Sequence, residues 1–103
     1  MAGISDDDVE RVRALISAVP PGRVTTYGDV AAAAGLASPR IVGTILRQDG
    51  ADLPWHRVLR ASGVPAPHLA AEQLARLRSE GVLAVDGRVD LRGYRATSAR
   101  PSS

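Results

Sequence analysis

The run Pro54-Trp55-His56-Arg57-Val58 sets an indole, an imidazole and a guanidinium side by side, and no thiol accompanies them, because the 103-residue chain contains no cysteine. Disulfides, thiolate metal sites and thiol nucleophiles are therefore excluded by composition. What remains is stacking, hydrogen bonding and charge. The aromatic set is only Tyr27, Trp55 and Tyr94, so each ring needs a reason to be present. All thirteen basic side chains are arginine, which fits either a need for planar phosphate-binding forks or a genome biased toward Arg and Ala codons. The net charge is only +2, but residues 11–60 carry seven Arg against Asp29, Asp49 and Asp52, while residues 1–10 carry four acids. The basic excess is local, as a DNA-facing surface requires.

The elements that must position these groups are readable from periodicity and punctuation. Ser5 can cap a first helix whose apolar positions Val9, Val12, Leu15, Ile16 and Val19 bury one stripe, with Pro20-Pro21-Gly22 as its stop. Thr26, with Asp29 three residues on, resembles a capping box and starts a second helix through Ala34. Gly35 supplies a left-handed end, and Ser38 caps a third helix over 39–48, with Pro39 at the first helical position. Ile41, Ile45 and Leu46 of that helix face the core, Val42 and Gly43 permit close approach of a neighbour, and Arg40 and Arg47 stay outside. Helix, short glycine-containing turn and helix make a helix-turn-helix. Leu69, Leu74 and Leu77 mark a fourth helix ending at Gly81. Residues 82–85 and 88–91 flank Asp86-Gly87, a tight hairpin turn and so a small wing.

The reading is one domain over residues 1–95, mainly α with a small β-hairpin, and a disordered tail over 96–103. No stretch approaches the roughly 18 uninterrupted apolar residues of a membrane span, and Ser5-Asp6-Asp7-Asp8 is wrong for a signal peptide, so a cytoplasmic protein is expected. Spacing alone gives a winged-helix-like DNA-binding module, with a sequence-specific transcriptional regulator as one alternative.

Residue identity goes further. Pro54-Trp55-His56-Arg57-Val58 resembles the Pro-Cys-His-Arg-Val active-site motif of O6-alkylguanine-DNA alkyltransferases, with Trp where the reactive Cys would be. That substitution resembles the alkyltransferase-like proteins. The similarity continues in Pro21-Gly22-Arg23-Val24-Thr25-Thr26-Tyr27-Gly28-Asp29-Val30-Ala31 and Ser38-Pro39-Arg40-Ile41-Val42-Gly43, in the family's order and spacing. The implied fold is the family's C-terminal helix-turn-helix domain. The implied function is recognition of O6-alkylguanine in double-stranded DNA by minor-groove docking and base flipping, without alkyl transfer, which flags the lesion for nucleotide-excision repair proteins. A monomer with no cofactor and no metal is expected.

The resemblance also implies roles. Arg40 is similar to the intercalating finger that fills the vacated stack; the alternative is a surface Arg on phosphate. Tyr27 resembles the tyrosine that crowds the target phosphate and touches the flipped base, or it packs the start of its helix. Trp55 walls the lesion pocket beside Pro54, and the carbonyls of Trp55 and Val58 are candidates for the guanine amino group. Arg47 and Arg60 are candidate phosphate contacts. His56 and Glu80 resemble the family's imidazole and partner carboxylate, retained as scaffold; their use in a dealkylase or glycosylase is the other alternative. Asp49 stands where the family has a hydrogen-bonding Asn. Arg57 is open between an acid partner and a phosphate. The segment 62–68 is unlike the family's lesion-closing loop, and no contact is assigned within it.

Overall fold

The computed structural model describes residues 4–96. Its first helix, α1 (Asp6–Ser17), begins with a full capping box: the Ser5 hydroxyl accepts from the Asp8 N–H at 3.0 Å, and the Asp8 carboxylate accepts from the Ser5 N–H at 3.3 Å. Asp6, Asp7 and Asp8 also place negative charge at the positive end of the helix. The buried stripe is Val12 and Ile16, with Val9 and Leu15 packed partly against the same cluster.

Helix α2 (Tyr27–Ala34) follows a two-residue strand, β1 (Thr25–Thr26). Here the expected capping box is only half made. The Thr26 hydroxyl accepts from the Asp29 N–H at 3.0 Å, but the Asp29 carboxylate turns away and accepts from Arg95 Nε at 2.9 Å. A short Asp reaches the N-cap less easily than Glu, and a guanidinium sixty-six positions away is the stronger partner. Gly35 closes α2 at φ +74, in the left-handed region that glycine occupies without strain. The chain then turns through 99° into α3 (Pro39–Asp49), the second limb of the helix-turn-helix. Ser38 caps it through the Arg40 N–H at 3.1 Å. Its core positions are Val42 and Ile45, both buried, whereas Ile41 and Leu46 pack only at the edge. Val42, expected to leave room for a neighbour, is itself the core contact. Helix α3 also runs one residue past the expected end, to Asp49.

A 3₁₀ turn at Trp55–Arg57 leads into β2 (Val58–Leu59), which pairs in parallel with β1. This pairing was not legible beforehand, and it organises the interior. Successive residues of a strand point to opposite faces. Val58 enters the cluster built from α1, α2 and α3, and Leu59 enters a second cluster with Val24, Leu77, Val82 and Val89. A second 3₁₀ turn (Pro67–Leu69) opens α4 (Ala70–Ser79).

The wing is present but shorter than expected: β3 (Ala84–Val85) and β4 (Arg88–Val89) have two residues each. Val82 is drawn into the second core cluster. Asp90 caps a short helix, α5 (Leu91–Tyr94), through the Arg92 N–H, so Leu91 leaves the strand. Asp86 and Gly87 both have positive φ, +53 and +77, as a type I′ hairpin turn demands. The Ala96 N–H donates to the Val24 carbonyl at 2.7 Å, and the rest of the expected tail, 97–103, lies outside the described residues. Among the described residues no single helix is long and apolar enough to cross a membrane.

Candidate nucleic-acid interface

Tyr27 opens α2 and Arg40 sits one residue inside α3, so the turn between the helices directs both toward the same side. They meet in a cleft of about 690 Å³, with Arg47, Trp55, Arg60 and His68 among its other lining residues. Five of the seven residues expected to touch DNA or the lesion therefore line one cavity: Tyr27, Arg40, Arg47, Trp55 and Arg60. Pro54 and Val58 are not among the lining residues. Pro54 caps the 3₁₀ turn, and the Val58 side chain is fully buried in the core. The two carbonyls expected to face a guanine are both engaged internally: Trp55 O accepts from the Val58 N–H, and Val58 O accepts from Gln73 Nε2 at 2.8 Å.

The cleft is a positive, partly apolar hollow. Among the described residues Arg40, Arg47 and Arg60 form no ion pair, in contrast to Arg11, Arg13, Arg57, Arg76 and Arg95. Unpaired guanidiniums around an apolar hollow suit an anionic, planar ligand. Burial pushes the Tyr27 hydroxyl above its ordinary pKa, although Arg60 and Arg47 pull the other way, so at neutral pH it remains a hydrogen-bond donor. Gly43 also lines the cleft; a methyl there would stand 4.0 Å from Tyr27 Cε1, an ordinary contact. The neighbour that approaches Gly43 is therefore the Tyr27 ring, at a distance that a small side chain would also tolerate.

Behind the cleft, Glu80 organises the Trp55–Arg57 turn. Its carboxylate accepts from Arg57 Nε and Nη2 at 3.0 and 2.7 Å, and His56 Nε2 lies 2.8 Å from Oε2. Arg57 also donates to the Val19 carbonyl at 2.9 Å. The open choice at Arg57 is thereby resolved in favour of the acid. The fork of Arg57, then burial in opposition, then His56 together hold the Glu80 carboxyl at a pKa of about 2. An ionised carboxylate only accepts, so His56 Nε2 is the donor in this bond. The other ring nitrogen, Nδ1, is buried and has no partner among the described residues. The expected His56–Glu80 bond is present, and the neighbouring side chain is the Trp55 indole, edge-on to the imidazole at 6.2 Å and 89°.

Helix α4 supplies contacts that the sequence did not suggest. Gln73 is buried and its Nε2 donates to the His56 and Val58 carbonyls at 3.0 and 2.8 Å. Its spacing of four from buried Leu77 was the available signal, since it places a polar side chain on the apolar stripe. Arg76 lies with its guanidinium carbon 5.4 Å from the Trp55 ring centroid. Asp49 does not reach this turn. Arg13 of α1 donates to its carbonyl at 2.6 Å and to the Asp52 carboxylate at 3.1 and 2.6 Å, drawing the end of α3 toward α1. In the 62–68 segment, Ala66 and His68 reach the cleft.

The chain matches the family model described as 6-O-methylguanine DNA methyltransferase, DNA binding domain, over residues 8–82. It is 40% identical over 98 residues to the DNA base-flipping protein of Escherichia coli (strain K12), covering 87% of this chain and 74% of that protein. It is 34% identical to the DNA base-flipping protein of Vibrio parahaemolyticus, covering 87% of this chain and 96% of that one. In structure it is similar to S. pombe Atl1 in complex with damaged DNA containing O6-carboxymethylguanine, with a TM-score of 0.77, 26% identity, and coverage of 90% of this chain and 97% of that one.

Proposed function

The chain belongs to the family of the 6-O-methylguanine DNA methyltransferase DNA-binding domain, on its alkyltransferase-like branch, and we propose that it recognises O6-alkylguanine by base flipping and leaves the alkyl group where it is. The observation that carries this reading is that an indole, Trp55, walls the cleft beside the helix-turn-helix, in a chain with no cysteine. Alkyl transfer to protein needs a soft nucleophile that displaces guanine from the alkyl carbon, and an indole does not substitute for a thiolate. The relatives named as base-flipping proteins, and the Atl1 complex with O6-carboxymethylguanine DNA, support the binding half of the proposal.

Flipping a base costs a few kcal/mol of stacking and pairing, and O6-alkylation lowers that cost by weakening the pair with cytosine. Arg40 enters the stack from the minor groove and occupies the vacated space with its planar head. Tyr27 crowds the phosphate of the extruded nucleotide, Trp55 presents an apolar face to the purine and its alkyl group, and Arg47 and Arg60 neutralise phosphates. The protein acts as a cytoplasmic monomer and marks the lesion for nucleotide-excision repair. A reconstituted excision reaction on an O6-alkylguanine duplex measures that step, with faster incision in its presence as the expected result.

The central test is equilibrium binding to matched duplexes containing guanine or O6-methylguanine. The wild type is expected to prefer the lesion by about tenfold, equivalent to about 1.4 kcal/mol. Arg40→Ala and Tyr27→Ala are expected to remove most of that preference. Equal affinity of the wild type for both duplexes rejects the proposal, and transfer of label from alkylated DNA to the protein rejects its non-enzymatic half.

A further inference from the structure

We propose that Arg76 is a positioning residue for lesion recognition: its guanidinium, lying over the Trp55 ring, holds the indole as a fixed wall of the cleft. The inference rests on the lesion-binding reading above and assigns part of the discrimination to a residue outside the cleft lining.

Helix α4 grips the Trp55–Arg57 turn at two levels. Gln73 fixes its backbone through the carbonyls of His56 and Val58. Three residues on, and so on an adjoining part of the helix face, Arg76 meets the Trp55 side chain at 5.4 Å from the ring centroid. The guanidinium is itself oriented: Nε and Nη2 both donate to Glu72 Oε2, at 3.1 and 2.8 Å, from one helical turn earlier. The indole thus has His56 edge-on at 6.2 Å and a carboxylate-braced cation over its ring. Trp55 is only half-buried, so core packing alone does not fix its rotamer. An indole free to turn would narrow the cleft in some rotamers and open it in others, and a flipped base would have to select among them.

Arg76 also differs in pairing from the cleft arginines. Arg40, Arg47 and Arg60 form no ion pair among the described residues, whereas Arg76 is paired with Glu72. A guanidinium engaged by a carboxylate and stacked on an aromatic face is placed to orient that ring and is less available to a phosphate than the unpaired arginines of the cleft.

Because Trp55 is the only tryptophan in the chain, the test has a reporter that needs no DNA. In Arg76→Met, acrylamide quenching of Trp55 fluorescence in the free protein is expected to rise. Affinity for the O6-methylguanine duplex is expected to fall by about two- to fivefold, the range of an exposed cation–π contact. Affinity for the guanine duplex and the salt dependence of binding are expected to stay unchanged. Arg76→Lys is expected to restore part of both effects, and Glu72→Gln to give a smaller version of them; these two variants carry the test if Arg76→Met does not fold. Equal weakening toward both duplexes with a shallower salt dependence overturns the proposal by making Arg76 a phosphate contact. Unchanged quenching and unchanged lesion preference overturn it as well. A wild type without lesion preference overturns the lesion reading instead, and the DNA-free quenching still decides whether Arg76 holds Trp55.

Discussion

Replacing Glu80 with Gln removes the charge that ties Arg57 and His56 together while keeping nearly the same shape. In the native protein the carboxylate is only 15% exposed, takes both prongs of the Arg57 fork and meets His56, and its pKa is displaced from 4.5 to about 2. That displacement corresponds to about 3 kcal/mol of stability at neutral pH. The folded chain holds the carboxylate ionised down to about pH 2, whereas the unfolded chain takes up the proton near 4.5. Protonation in that interval therefore favours unfolding. The contribution is complete above about pH 5 and is lost as pH falls toward the folded value. Urea denaturation of wild type and Glu80→Gln at a series of pH values isolates the effect, because the other acids titrate in both proteins. Glu80→Gln is expected to be less stable by about 3 kcal/mol at pH 7, with the gap narrowing below about pH 5. A gap that does not change with pH, or one below about 1 kcal/mol at pH 7, the range of an exposed ion pair, would falsify the assignment. The same variant is expected to weaken lesion binding, because the network it breaks carries the turn on which Trp55 sits.

Three further outcomes follow from the geometry. Gly63 has φ +84, and a Cβ there would stand 2.3 Å from the Val89 carbonyl oxygen; Gly63→Ala is expected to lower stability by about 2 kcal/mol or more in thermal melts, and near-native melting would show that this turn is not held against β4. Gln73→Leu removes both donors from the His56 and Val58 carbonyls, and chemical denaturation is expected to report a loss of about 1–3 kcal/mol, with no loss meaning that water replaces the amide. Arg47→Ala and Arg60→Ala are each expected to reduce the slope of log affinity against log salt by about 1 while preserving the preference for the lesion; a changed preference with an unchanged slope would instead make that arginine a base contact.

Most of the helical framework was legible in the sequence because its determinants are local. Ser5, Gly35, Ser38 and Pro39 act within one turn of their own positions, as do the α1 stripe and the positive-φ pair Asp86-Gly87. The motif around Trp55, together with the absence of any cysteine, sets the chemical character of the site by residue identity alone. What the sequence could not determine were choices among distant partners. Arg57 selects Glu80, twenty-three positions on, and Asp29 selects Arg95 over its own N-cap. Thr25 pairs with Val58, a strand contact too short to leave a periodicity. Tertiary closure also decided the surroundings of Val58, placing its side chain in the core and its carbonyl within reach of the Gln73 amide. It brought Arg76 over Trp55 as well. Caps and stripes depend on neighbours within about four residues and so are written in order along the chain, whereas ion pairs and stacking depend on which groups the packed core brings within reach.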